Sequence, residues 1–133
     1  MARIKESTGG IAYREAFEGA EADRSLHCDL CDREIVRLAV RDDCLVVASP
    51  LRRIGMDGEE LRGRDPAALL RAKPPALHQA LMDASRDGLD FYCPDCDQMI
   101  CEDHYHLRPV WDDGFYDYTL GTCPAGHQRI VDD

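Results

Sequence analysis

The sequence has no apolar run long enough to cross a bilayer. A spanning helix needs roughly 18 or more consecutive apolar residues, and stretches such as CLVVA at 44–48 stop far short of that. Residues 1–10 hold no apolar segment of the kind a secretory signal requires. The expectation is a soluble, cytoplasmic protein. Positive charge is scarce: 26 acidic residues outnumber 16 basic ones, for a formal charge of −10, and only two of the bases are lysine. Nucleic acid and anionic lipid carry the same sign, so no nucleic-acid or membrane partner is expected. Aromatic side chains are few as well, 7% of the chain. The polar, turn-rich C-terminal part is therefore short of core material. At 133 residues the chain amounts to one domain.

What the sequence does have is seven cysteines and five histidines. In a secreted chain such cysteines would suggest disulfides; in a cytosolic one they suggest metal. Their placement follows the organisation of the chain. Residues 1–25 read as a partly ordered arm, in which Ile11, Tyr13, Ala16, Phe17 and Ala20 fall on one face of a short helix while Gly9, Gly10 and Gly19 weaken it. Residues 26–133 read as one binuclear zinc domain. Within it, two β-rich runs flank Asp42-Asp43 and predict a hairpin. Residues 52–64 are polar and Gly-rich, a loop. Asp65-Pro66 starts a helix, Asp capping and Pro taking the first position. Pro74-Pro75 starts a second, with Leu77, Leu81 and Ala84 at helical spacing and Gly88 as its stop. Segment 45–90 is thus a helical insertion. After it, LDFY at 89–92 reads as a strand leading into the last cysteines. Residues 93–133 carry nine acids and two bases, −7 of the total −10.

Eight candidate ligands fall into four pairs: Cys28/Cys31, Cys93/Cys96, Cys101/His104 and Cys123/His127. A Cys-x-x-Cys turn aims both sulfurs at one point. Zinc takes four such ligands tetrahedrally, with Zn–S near ~2.3 Å and Zn–N near ~2.0 Å. Eight ligands make two closed structural sites, each supplying on the order of 10 kcal/mol of folding free energy. The cofactor expected is therefore zinc, two ions. A redox reading of Cys93-Pro94-Asp95-Cys96 is disfavoured, because the segment continues to another cysteine instead of opening a βαβ unit. Two pairings are open. In a cross-brace, alternate pairs share a metal and each site has three cysteines and one histidine. In a sequential scheme, Cys28, Cys31, Cys93 and Cys96 form one site and the rest the other. The four-residue spacer between Cys96 and Cys101 favours cross-bracing, since adjacent pairs on a tight hairpin face opposite ways. His106 competes with His104 for the third pair, and the two-residue spacing favours His104. Cys44 reads as a buried unligated thiol, His27 as a surface or supporting residue, and His78 as an exposed or packed helix residue. Trp111, Phe115, Tyr116 and Tyr118 flank an Asp-Asp-Gly turn, with two readings: packing against the metal sites, or an exposed docking patch.

This pattern resembles the cross-braced zinc fingers of the RING, B-box and FYVE families. The Cys93, Cys96, Cys101 and His104 spacing is similar to the central run of B-box and FYVE domains. Leu30 inside the first Cys-x-x-Cys, Trp111 between the third and fourth pairs, and Pro124 after Cys123 resemble RING positions. The resemblance implies a small zinc-stabilised α+β fold, a treble-clef or RING-like cross-brace. In RING fingers those three positions form the groove for a ubiquitin-conjugating enzyme. The resemblance thus implies a ligase subunit with no nucleophile of its own, docking through Leu30, Trp111 and Pro124, with Gln128 or Arg129 reaching a carried ubiquitin-like protein. The acidic C-terminal part lacks the basic cluster that FYVE fingers use for phosphoinositides. The alternative function is a non-catalytic, zinc-stapled adaptor in a larger protein assembly.

Overall fold

The computed structural model describes residues 5–6, 22–85 and 87–132. The helical pattern of Ile11, Tyr13, Ala16, Phe17 and Ala20 lies outside them. The described part is mostly β, with ten strands: β1 (Lys5–Glu6), β2 (Arg24–His27), β3 (Glu34–Arg41), β4 (Cys44–Ala48), β5 (Arg52–Met56), β6 (Tyr92–Cys93), β7 (Gln98–Met99), β8 (His106–Asp112), β9 (Phe115–Thr122) and β10 (Gln128–Asp132). Two helices, α1 (Pro66–Leu70) and α2 (Pro74–Ser85), lie between β5 and β6. The strands form a five-stranded sheet ordered β1-β5-β4-β3-β2, a three-stranded sheet β10-β9-β8 and the small hairpin β6-β7.

The expected hairpin is β3–β4, in register Arg41↔Cys44, Val40↔Leu45 and Leu38↔Val47. Its two turn residues, Asp42 and Asp43, both have left-handed φ, 50° and 59°. Such a two-residue turn matches the twist of the strands it joins, and aspartate tolerates the conformation. α1 also starts as expected: the Asp65 carboxylate accepts from the Ala67 N–H at 3.3 Å, and Pro66 opens the helix. Its far end is held from β2, where Arg24 donates to the carbonyls of Leu70 (2.9 Å) and Ala72.

Four expectations are corrected. The arm does not extend through residue 25, since Arg24 and Ser25 belong to β2. Residues 52–64 are not all loop: β5 pairs with β4 in register Leu45↔Met56 and Val47↔Ile54. The segment 45–90 is not purely helical, because residue 45 lies inside β4 and β5 follows. LDFY is not a strand except at its end, since Phe91 adopts a left-handed φ of 59° that breaks extension.

One core runs through the described residues. Leu38, Leu45 and Val47 of the sheet meet Leu61, Leu69, Leu77 and Leu81 from the helical part. Leu89, Phe91, Tyr92, Ile100, Tyr105 and Val131 join the same cluster from the C-terminal part. That part thus borrows its interior from the sheet.

Two arginines stitch the halves together. Arg52, at the start of β5, is buried. It reaches Asp87 (2.6 Å), Asp90 (3.1 Å) and the Val131 carbonyl (2.6 Å). Ser49 donates to the same Asp90 oxygen. Burial pushes the Asp90 carboxyl up, against the pull of Arg52. Arg129 of β10 donates to the carbonyls of Leu89 (3.0 Å), Tyr92 (3.1 Å) and Asp87. Between them sits His78 of α2, whose Nδ1 accepts the Leu89 N–H at 3.0 Å and whose ring tilts against Tyr92. His78 is buried, so of its two readings the packed one holds. Gly88 passes under this ring: a Cβ there would lie 2.5 Å from His78 Cε1, and its φ is +73°. It lies beyond the end of α2, and close approach is what demands glycine at this position.

Two predictions follow from the junction. Arg52→Met leaves Asp90 buried without its counter-charge and should cost about 3–5 kcal/mol, read as a lower urea midpoint. Burial first, and the Arg129 charge second, lower the His78 pKa from 6.5 to about 4. The folded state therefore favours the neutral ring. The stability this contributes is complete above pH 6.5 and is lost as pH falls towards 4. His78→Gln should remove that part of the acid sensitivity, measured as the difference between variant and wild-type unfolding across this range.

Candidate metal centre

Each ligand pair sits on a tight turn that its local sequence dictates. The first follows β2. Cys28 N–H donates to the Arg33 carbonyl and Asp32 N–H to the Cys28 carbonyl, both at 2.8 Å. The Leu30 N–H points at Cys28 Sγ, 3.4 Å away. The second pair sits on the β6–β7 hairpin, in register Cys93↔Gln98. Both turns read Cys-x-x-Cys-Asp, and in both the aspartate is left-handed, Asp32 at φ 63° and Asp97 at φ 52°. Asp97 also accepts from the Tyr92 hydroxyl at 2.6 Å. The third pair follows β7 directly, its turn closed by His104 N–H and Tyr105 N–H donating to the Cys101 carbonyl at 2.9 and 2.8 Å. The fourth joins β9 to β10 through Gly126, φ +91°. There Cys123 N–H donates to the His127 carbonyl at 3.0 Å.

These turns gather the ligands by alternate pairs. Cys28, Cys31, Cys101 and His104 form one group and Cys93, Cys96, Cys123 and His127 the other, with all ligand atoms of a group within 4.8 Å of one another. In the first, Cys31 Sγ lies 3.6 Å from Cys101 Sγ, and His104 Nδ1 lies 3.2 Å from Cys101 Sγ and 3.9 Å from Cys28 Sγ. In the second, Cys96 Sγ lies 3.9 Å from Cys123 Sγ, and His127 Nδ1 lies 3.2, 3.4 and 3.7 Å from Cys96, Cys123 and Cys93. A tetrahedron with bonds of ~2.3 Å to sulfur and ~2.0 Å to nitrogen has S···S edges of about 3.8 Å and S···N edges of about 3.5 Å. The observed separations bracket those edges. They are far from the ~2.05 Å of a disulfide bond, and none of the seven cysteines is paired in a disulfide. Both groups could hold a metal ion through three sulfurs and one imidazole Nδ1.

The electrostatics point the same way. Burial alone would raise the Cys28 thiol, but hydrogen bonds from the backbone at Cys101, Leu30 and Cys31 outweigh it and bring it to about 6. Cys123 falls to about 7 for the same reason, through the amides at His127 and Ala125. Cys96 moves the other way, to about 12, pushed by burial and then by the sulfurs of Cys93 and Cys123. Cys101 is likewise raised, by burial and by Cys31 and Cys28. Amides thus favour one thiolate in each group while its neighbours resist a second. A cation among them reverses that resistance.

The two groups are mechanically joined. Asp29, inside the first turn, donates its N–H to the Met99 carbonyl (2.8 Å) and accepts the Met99 N–H on its carboxylate (2.7 Å). Met99 belongs to β7, which carries Cys96 on one side and Cys101 on the other. At the rim, Arg33 pairs with Asp103 (2.7 Å) and Glu102 (3.2 Å), fastening the first turn to the third. Sequence reasoning overlooked Asp29. Its signal was the aspartate following the first cysteine of a turn.

The other expected site residues divide. His104 joins a group, whereas His106 is exposed on β8. Cys44 is buried in β4, outside both groups. His27 is exposed, its Nδ1 3.0 Å from the Asp32 carbonyl. Leu30, Pro124 and Gln128 are exposed. Arg129 is a correction. Expected at a docking surface, it turns inward and spends its donors on backbone carbonyls, because the chain at 87–92 has no strand partner for them there. The aromatics are a correction of the packing reading. Trp111 and Phe115 are 62% and 77% exposed on the β8–β9 hairpin and pack in no core, whereas Tyr116 and Tyr118 are half-buried.

Asp29→Ala should loosen both groups together, since it removes the carboxylate half of the two-bond link between the first turn and the strand that carries ligands of the second. The expected outcome is a rise of about tenfold in the free-metal concentration needed to half-load the protein, at both sites, in a chelator competition titration.

No curated protein and no solved structure matches the chain. A family model described as a domain of unknown function, DUF8328, matches residues 18–133, so its span covers all eight candidate ligands. The chain belongs to the DUF8328 family.

Proposed function

We propose that the chain is a zinc-stapled protein-interaction module, holding two structural zinc ions in a treble-clef or RING-like cross-brace and carrying out no covalent chemistry of its own. The observation that carries this is the pair of complete Cys₃His groups. Three thiolates and an imidazole in tetrahedral array suit zinc among the common divalent metals. Four protein ligands leave no open position for a water, as in structural and not catalytic sites. Reduced thiols of this kind also suit a cytoplasmic setting. With the ions bound, what the module offers a partner is its turns and its aromatic hairpin.

A second reading makes the module a RING-like ligase subunit. It would dock a ubiquitin-conjugating enzyme and speed transfer of a ubiquitin-like protein by restricting the thioester to reactive geometries. It is favoured by Leu30 and Pro124, exposed on turns that belong to different metal groups. The inward Arg129 leaves Gln128 alone to reach the modifier. The adaptor reading needs neither residue to do so, and we favour it.

Elemental analysis should return two zinc ions per chain. Cobalt replacement should give two equivalent spectra of three-thiolate type. Cys44→Ser and His106→Ala should keep both ions, while His104→Ala should lose one. No bound transition metal, or one four-thiolate and one two-thiolate spectrum, would overturn the proposal. For the ligase reading, the measurement is discharge of a charged conjugating enzyme by the wild type and by Leu30→Ala; equal discharge rates exclude it.

A further inference from the structure

The β8–β9 hairpin ends in a group of side chains that the metal sites do not use. Its turn is Asp113-Gly114, with φ of 48° and 83°, and Trp111 and Phe115 stand on either side, largely exposed. Trp111 is not loose. Its ring meets Tyr116 edge-on at 5.6 Å, and the Tyr116 hydroxyl is tied to Thr119 at 2.6 Å. The indole is a braced platform. Asp112 and Asp113 follow Trp111 into the turn and Asp117 follows Tyr116 on the returning strand, all exposed. None of the ion pairs among the described residues uses them. Asp117 is the extra residue of a bulge: Val110 pairs with Tyr118 and Trp111 with Tyr116, leaving Asp117 without an opposite. Bulges re-aim side chains at functional edges. No lysine or arginine occurs between Arg108 and Arg129, and Arg129 faces inward. The tip therefore carries an aromatic ring on each face, Trp111 on one and Phe115 on the other, with three exposed carboxylates and no lysine or arginine in its own sequence from 109 to 128.

We propose that this hairpin tip docks a basic, extended segment of a partner protein that crosses over the turn, whose arginine or lysine side chains stack on Trp111 on one face and Phe115 on the other and pair with Asp112, Asp113 and Asp117. The inference rests on reading the chain as an interaction module and names the chemistry of what it binds. A guanidinium suits both features at once: it is flat enough to stack and it carries the opposite charge. A second copy of this chain is a poor occupant, because each copy carries −10. An anionic bilayer is repelled in the same way. Strand addition along β8 is blocked at its middle by Pro109, which has no N–H to offer. Recognition therefore falls to the side chains of the tip.

Trp111 is the only tryptophan in the chain, so its fluorescence reads the site directly. The metal-loaded full chain is titrated with a synthetic peptide alternating arginine and serine, and with its glutamate-for-arginine counterpart. The arginine peptide should give a saturable change that the glutamate peptide does not, weakened by raising salt from about 0.1 M to 1 M. The triple variant Asp112→Asn, Asp113→Asn, Asp117→Asn should bind about tenfold or more weakly, and Phe115→Ala several-fold more weakly, with metal content unchanged. Equal binding by the triple variant, no saturable change with the arginine peptide, or a response only to phosphatidylcholine vesicles overturns the proposal. A metal-loaded chain that ignores the peptide refutes the docking site and leaves the zinc module standing. A chain that binds the peptide without holding metal supports the docking site and refutes the zinc module.

Discussion

Three thiols and an imidazole held within 4.8 Å of one another resist ionising together, and a positive charge among them would lift that resistance. The C-terminal half of the chain is arranged around that grouping, twice. Two of its strands have only two residues each, and three of the four segments between its strands are ligand turns. The pair β6–β7 has only two residues per strand, too little for independent stability in water. What steadies it is the Cys93 and Cys96 turn at its tip, the Asp29 clip from the first turn, and the phenol of Tyr92 on Asp97.

The second constraint is the junction between the sheet and the ligand-bearing part. Apolar contacts run across it, but so do buried charges: Arg52 against the carboxylates of Asp87 and Asp90, and Arg129 on the backbone carbonyls of Asp87, Leu89 and Tyr92. Such groups are costly to bury, and the geometry repays this by precision. Arg52 reaches two different segments with its three nitrogens, the stretch holding Asp87 and Asp90 and the carbonyl of Val131, and Arg129 fixes the irregular backbone at 87–92. A left-handed Phe91 and a glycine under His78 are tolerated there because these arginines satisfy the carbonyls that no strand partner reaches. The same network explains why an arginine next to the last ligand turn is unavailable to a partner.

Much of the candidate site was legible in the sequence, because ligand turns are local. Cys-x-x-Cys spacing, the short Cys101–His104 step and the crowded Cys93–Cys101 segment each constrain geometry within a few residues. The β3–β4 hairpin and the Asp65-Pro66 helix start were readable for the same reason. What failed was non-local. β5 hides behind Arg52-Arg53, a pair that reads as polar until the carboxylates of Asp87 and Asp90, far along the chain, are brought to it. LDFY has strand composition, and only its tertiary setting turns Phe91 out of extension. Arg129 looked like a surface residue because nothing nearby in sequence announces the carbonyls it serves.

Alternate pairing also sets the order in which the molecule can be made. The first turn, at residues 28–31, has half its ligands at 101 and 104. As the chain leaves the ribosome, the β3–β4 hairpin can close by local contacts, but the first sulfurs must wait for some seventy more residues. Loop closure over that distance is slow relative to hairpin formation. Throughout that interval the early thiols stand open to oxidants and competing metals, so the nascent chain, more than the finished protein, depends on a reducing, metal-buffered surrounding.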